Sequence, residues 1–153
     1  MNTSKRLVNY LNEMSNLKVN YLTVNKSVSN STVGWQIDHA LKVINSVITA
    51  LQDAPTNKSA KLTMVGRLCL FTRHIPRGKG KAPKQVQPPE VIELDAIEKQ
   101  LLQAKECLQL IPVINSKATF KHPYFGILNK NQTIKFVEIH TKHHLKIMRD
   151  ILK

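Results

Sequence analysis

What constrains this chain most is the spacing of its apolar residues. In four long stretches they recur every three or four positions, the period of one helix face. Residues 3–24 carry Leu7, Leu11, Met14, Leu17, Tyr21 and Val24 in that rhythm. Thr32 suits the N-cap of a second run, which passes through Ile37, Leu41, Ile44, Ile48 and Leu51. Asp53-Ala-Pro-Thr stops it near residue 52. A third run opens at Pro89 or Glu90, where a proline fits the first turn. It includes Ile97, Leu101, Ala104 and Leu108 and ends before Pro112. The fourth follows Asn129, whose partner three residues on, Gln132, completes a capping-box pattern. It runs from Ile134 to Ile151.

Between these runs lie weaker signals. Residues 58–72 suggest a shorter helix, although Val65, Leu68, Cys69 and Phe71 also suit a strand. Residues 25–32, 73–88 and 115–131 read as loops, the middle one broken by three prolines and two glycines. Four amphipathic stripes in 153 residues bury one another most economically as an all-α helix bundle, a single domain over residues 1–153. Aromatic residues make up only 5%, so the core is expected to be aliphatic. No window of 18 apolar residues exists, which excludes a transmembrane helix. The N-terminal segment lacks a continuous apolar run of the signal-peptide kind, so the cytoplasm is the expected compartment. Cys69 and Cys107 stand far apart in apolar-periodic stretches and read as free, buried core residues.

Histidine placement carries the chemistry. His140, His143 and His144 fall together in the last run. His140 and His144 are one turn apart, so both imidazoles point the same way and can reach one metal ion. His143 lies further round the helix. Spacing alone leaves two readings open: a ligand pair, or one histidine that packs while the others are solvated. His39, in the second run, sits away from the centre of its apolar stripe and by itself reads as structural or solvated as readily as a ligand.

The segment Trp35-Gln-Ile-Asp-His39 resembles the DinB/YfiT-like superfamily, in which a tryptophan precedes a ligand histidine near the start of helix two. His122-Pro-Tyr-Phe-Gly126 followed by His140-Thr-Lys-His143-His144 resembles the C-terminal half of a DinB-related branch. The resemblance implies a four-helix, up-and-down-type bundle with one longer connection, here with an extra short helix and a long basic loop. It also implies a metal held by His39, His140 and His144, with His143 outside the ligand set. Where the superfamily often has a tryptophan early in the last helix, Thr133-Ile134 stands here, which bears on the pocket lining.

Three neutral imidazoles suit a divalent transition metal such as Zn, Ni or Fe, and leave a coordination position open. The resemblance implies a metal-dependent enzyme acting on a small molecule, such as a thiol or an anion, by thiol transfer or hydrolysis. Asp38 and Glu138 adjoin the histidines, but neither spacing turns its carboxylate to the ligand side. They are expected in solvent or behind the ligands. His122 and Tyr124 are candidates for lining the pocket.

A net charge of +13 favours anionic partners, whether nucleic acid, an anionic membrane or an acidic small molecule. Arg77, Lys79 and Lys81 crowd the loop from Arg73 to Lys84, which reads either as a solvated surface loop or as an anion-binding arm. It is not a phosphate-binding P-loop, because GxxxxGK[ST] is absent. Nucleic acid is not favoured, since no recognised binding motif or interleaved aromatics appear. No membrane partner is expected. Two alternatives remain: a basic nucleic-acid-binding helical module whose histidines are incidental, and a non-catalytic metal-binding bundle acting by self-association. A homodimer suits either metal reading.

Overall fold

In a computed structural model the chain is described over residues 3–56, 59–78 and 80–153. Five α-helices and a small sheet follow in the order α1 (Thr3–Leu17), α2 (Val33–Gln52), β1 (Lys61–Leu62), α3 (Met64–Thr72), α4 (Leu94–Leu110), β2 (Thr119–His122), β3 (Gly126–Asn129) and α5 (Lys130–Ile151). Single 3-10 turns occupy Lys18–Asn20 and Lys84–Val86. α2 packs against both α4 and α5, and α1 lies against the same two helices. Their apolar stripes meet in one core. Leu7, Leu11 and Met14 of α1 are buried with Ile37, Leu41, Ile44 and Ile48 of α2. Ile97 of α4 and Val137, Leu145 and Met148 of α5 complete it.

Both anticipated caps form. Thr32 Oγ1 accepts from the backbone N–H of Trp35 at 3.1 Å, satisfying one of the orphan donors of α2. At α5, Asn129 Oδ1 accepts from Gln132 N–H, and Gln132 Oε1 accepts from Asn129 N–H. α1 stops at Leu17, earlier than its apolar rhythm suggests. The turn that follows is used to cap α2: the carbonyls of Thr23 and Tyr21 accept from Val33 and Gly34 N–H. A Cβ on Gly34 would sit 2.8 Å from the Tyr21 oxygen, so glycine permits that approach. α4 likewise starts at Leu94 and not at Pro89. The residues before it run non-helically across the start of α2, where the Ile92 side chain lies against Gly34.

The all-α expectation is overturned by a three-stranded antiparallel sheet of order β1-β3-β2. The molecule is mostly helical, but residues 119–129, read as loop, form a hairpin. Residues 61–62, read as part of a helix, pair with its second strand. Strands of two to four residues are too short to display a period, and the pairing of Lys61 with Ile127 is far from local. Gly126 makes the sheet possible. Its φ is +86°, and a Cβ there would lie 2.3 Å from the Lys61 carbonyl oxygen. α3 then packs on this sheet and on α5. Among the described residues, no helix is long and apolar enough to cross a membrane.

Candidate metal centre

α2 and α5 run side by side through the core, and the sequence places one histidine on α2 and two on α5 where they face. His39 comes from α2, and His140 and His144 from successive turns of α5. The structure brings the three together. One ligand atom from each lies within 4.8 Å of the other two. The ring centroids of His39 are 5.1 Å from His140 and 4.7 Å from His144. The Nε2 atoms of His140 and His144 lie 3.2 Å apart. Ligand nitrogens on a tetrahedral Zn²⁺ sit about 3.3 Å apart, given bonds of about 2.0–2.1 Å.

Two of the three rings have their tautomer fixed from behind. His39 Nδ1 lies 2.7 Å from the Val86 carbonyl, which can only accept, so Nδ1 carries the proton and Nε2 a lone pair. Gln36 turns its amide nitrogen to Ser29 Oγ, leaving its oxygen 2.6 Å from His144 Nδ1. That makes His144 Nε2 a lone pair as well. His140 differs: its Nδ1 is buried with no hydrogen-bond partner. With His144 Nε2 a lone pair, His140 Nε2 donates to it; moving that proton to Nδ1 would turn both Nε2 lone pairs toward one point, an arrangement that a cation between them satisfies.

Aromatic neighbours hold the rings in place. Trp35, one turn before His39, stacks on it at 5.2 Å and 24°. Phe136, one turn before His140, lies 5.6 Å from that ring. Burial pushes the pKa of His39 down and those of His140 and His144 well below the usual histidine range, with the neighbouring histidines adding to the effect at the last two. All three are therefore neutral at pH 7, the form that binds metal. His39 is 4% exposed and His144 7%, while His140 is only half-buried.

The other sequence candidates divide. His122 sits beside Phe125 and Phe136, each at 4.5 Å between ring centroids. Phe136 thus stands between it and His140. His122 Nδ1 accepts the backbone N–H groups of Tyr124 and Phe125, which places the proton of its neutral form on Nε2. Burial lowers its pKa to about 4. Tyr124 is half exposed, and its hydroxyl donates to the Lys81 carbonyl at 3.3 Å. His143 is not among the three gathered histidines. Its ring bonds to the Ile75 backbone, and its pKa falls to about 4 mainly through burial.

Asp38 and Glu138 are not in solvent, contrary to one half of the expectation. Both are buried. Glu138 accepts from Arg6 Nε at 2.9 Å and is also paired with Arg73. Asp38 accepts from Gln100 Nε2 at 2.6 Å and pairs with Lys42 at 2.7 Å. Each carboxylate is committed to partners other than the imidazoles, Glu138 to two guanidinium groups and Asp38 to an ammonium and an amide.

The basic loop is more than a solvated surface segment. At its start it is fastened to α5, through Arg73 to Glu138 and through Arg77 to Asp150 at 2.6 Å. At its end it is fastened to α2, where the Val86 carbonyl meets His39 and the Gln87 carbonyl accepts from Lys42. Arg77 faces His143, and Lys81 is exposed while its carbonyl takes the Tyr124 hydroxyl. Lys79 lies outside the described residues. The sequence reading missed Gln36 and Val86. Gln36 belongs to the tryptophan–histidine segment but works across 108 positions, and Val86 acts through a carbonyl that any residue has.

A mostly helical protein with three inward-facing, neutral histidines is a candidate metal-binding protein. The chain belongs to the family described as Protein of unknown function (DUF1569), which matches residues 7–151. No curated protein and no solved structure matches it.

Proposed function

We propose that the chain is a DinB-like protein that binds a divalent transition metal through His39, His140 and His144 and uses it on a small-molecule substrate. One observation carries the reading: three imidazoles converge, two with Nε2 lone pairs fixed by Val86 and Gln36, around a third with an unpartnered buried Nδ1. Membership of DUF1569 and the Trp35-to-His39 and His140-to-His144 segments support the DinB-like part. All-nitrogen donors favour Zn, Ni or Fe over Ca or Mg, which prefer oxygen.

Bound there, the metal would supply Lewis-acid polarisation of a substrate oxygen, or stabilise a thiolate. The chain's own residues orient the donors and hold them neutral. With Asp38 and Glu138 committed to Lys42, Gln100, Arg6 and Arg73, neither is a free general base at the histidines. This favours thiol transfer, in which the nucleophile is activated at the metal, over hydrolysis driven by a carboxylate base.

The test is elemental mass spectrometry of untagged protein beside His144→Ala, followed by thiol-transfer and hydrolysis screens on the metal-loaded form. A transition metal near one per chain, lost in the variant, is expected. Absence of metal in both, even after incubation with Zn²⁺ or Ni²⁺, would overturn the reading.

A further inference from the structure

We propose that the outer face of α3, with the basic residues around it, seats on an anionic lipid bilayer. The nine residues of α3 turn Gly66, Cys69 and Leu70 inward. The opposite pole of a surface helix is ordinarily polar. Here it presents Met64, Leu68 and Phe71, which are 78%, 63% and 86% exposed, beside Val65 at 55%. Contiguous exposed apolar surface of this kind marks an interaction site.

The helix cannot rotate to hide that face. A Cβ on Gly66 would stand 2.6 Å from the Phe125 carbonyl oxygen, so the inward side is in backbone contact with the hairpin. Thr63 N–H also donates to that carbonyl, and Thr63 Oγ1 caps the helix by accepting from Gly66 N–H.

Charge decides what covers the face. Residues 54–89, which contain α3 and the basic loop, include no Asp or Glu, and neither do residues 111–137, which contain the hairpin. Lys61, Arg67, Lys81, Lys84 and Lys121 are exposed within these segments. Lys61 and Lys121 flank Ile127 in one row of the sheet, so they share a face. The two acids that reach this zone from α5 are already matched, Glu138 by Arg6 and Arg73, and Asp150 by Arg77 and Lys153.

A second copy of the chain would bring cations against cations. Nucleic acid would use the cations but not Met64 and Leu68. An anionic bilayer takes both. Its acyl boundary receives apolar side chains, and its headgroups attract nearby Lys and Arg. A surface site of this kind differs from the expectation of no membrane partner and needs no transmembrane span.

The test is flotation of the full chain with vesicles of phosphatidylcholine alone or mixed with phosphatidylserine. Two variants accompany it, Met64→Ser/Phe71→Ser and Lys61→Glu/Arg67→Glu. All four side chains are exposed, so circular dichroism and melting should stay as in the wild type. We expect flotation with phosphatidylserine vesicles only, weakened roughly tenfold or more in each variant, in the first by loss of apolar insertion and in the second by reversal of the attraction to headgroups. No flotation, or equal flotation of wild type and variants, would overturn the proposal. So would a wild-type dimer in sedimentation that Met64→Ser/Phe71→Ser dissolves while vesicles go unbound, because a second copy would then cover the face.

Discussion

At the scale of single residues, the centre depends on two groups that touch no metal. Gln36 holds the proton of His144 on Nδ1, and the Val86 carbonyl does the same for His39. Gln36→Leu removes the acceptor but keeps the volume close. We expect it to weaken metal binding roughly 10–100-fold, read by competition against a chromophoric chelator, with the fold intact. Unchanged affinity would show that Gln36 does not orient the ring. The histidines also set an acid limit. Burial lowers the pKa of His122 and His143 to about 4, and it also pushes those of His39, His140 and His144 below the ordinary histidine range. The unfolded chain takes up these protons near pH 6.5, before the folded chain does. Stability from them is therefore complete above pH 6.5 and is lost as pH falls from there toward 4. Urea midpoints of the metal-free protein should drop steadily over that window, whereas a flat profile would contradict the burial of neutral rings.

At the scale of elements, α5 is the organising helix. It carries two histidines inward and, two residues before His140, the buried Glu138 that ties in α1 through Arg6 and the end of α3 through Arg73. Removing that carboxylate leaves two guanidinium groups facing a small void. Glu138→Ala should cost about 2–3 kcal/mol in chemical denaturation. Gly126→Ala tests the sheet. Its positive φ and the close Lys61 oxygen predict a loss of about 2 kcal/mol or more, with the largest rise in amide exchange at β1 and β3.

The helices were legible in the sequence because long amphipathic runs repeat their period several times, and because Thr32 and the Asn129–Gln132 pair announce their own caps. The sheet was not, because its strands are short and its pairing joins residues about sixty-five positions apart. The i, i+4 spacing of His140 and His144 could be read directly from the helix period. The approach of His39 could not, since it depends on how α2 rotates against α5. Family resemblance supplied what periodicity lacked there. Gln36 was hidden for the same reason as the sheet: its partner lies across the core.

At the scale of the whole molecule, the chain separates its chemistries. The histidines lie in the helical core, and the unscreened positive charge lies with α3, the basic loop and the hairpin. The loop links the two, since one end binds α5 and the other supplies the carbonyl behind His39. Metal binding should therefore stabilise the entire domain. Saturation of a site present only in the folded state adds about 2.7 kcal/mol at a hundredfold excess over Kd. We expect a clear rise in Tm with Zn²⁺ or Ni²⁺ that a chelator reverses, and no rise in His140→Ala.

The most direct test of the centre is calorimetric titration of metal-free protein with Zn²⁺, on wild type and on His39→Ala, His140→Ala and His144→Ala in parallel. One ion per chain in the wild type, with affinity reduced in all three variants while Tm without metal stays near the wild-type value, is the result expected of a shared three-histidine site. Binding that survives the loss of any one of the three, or no binding by the wild type, would contradict it.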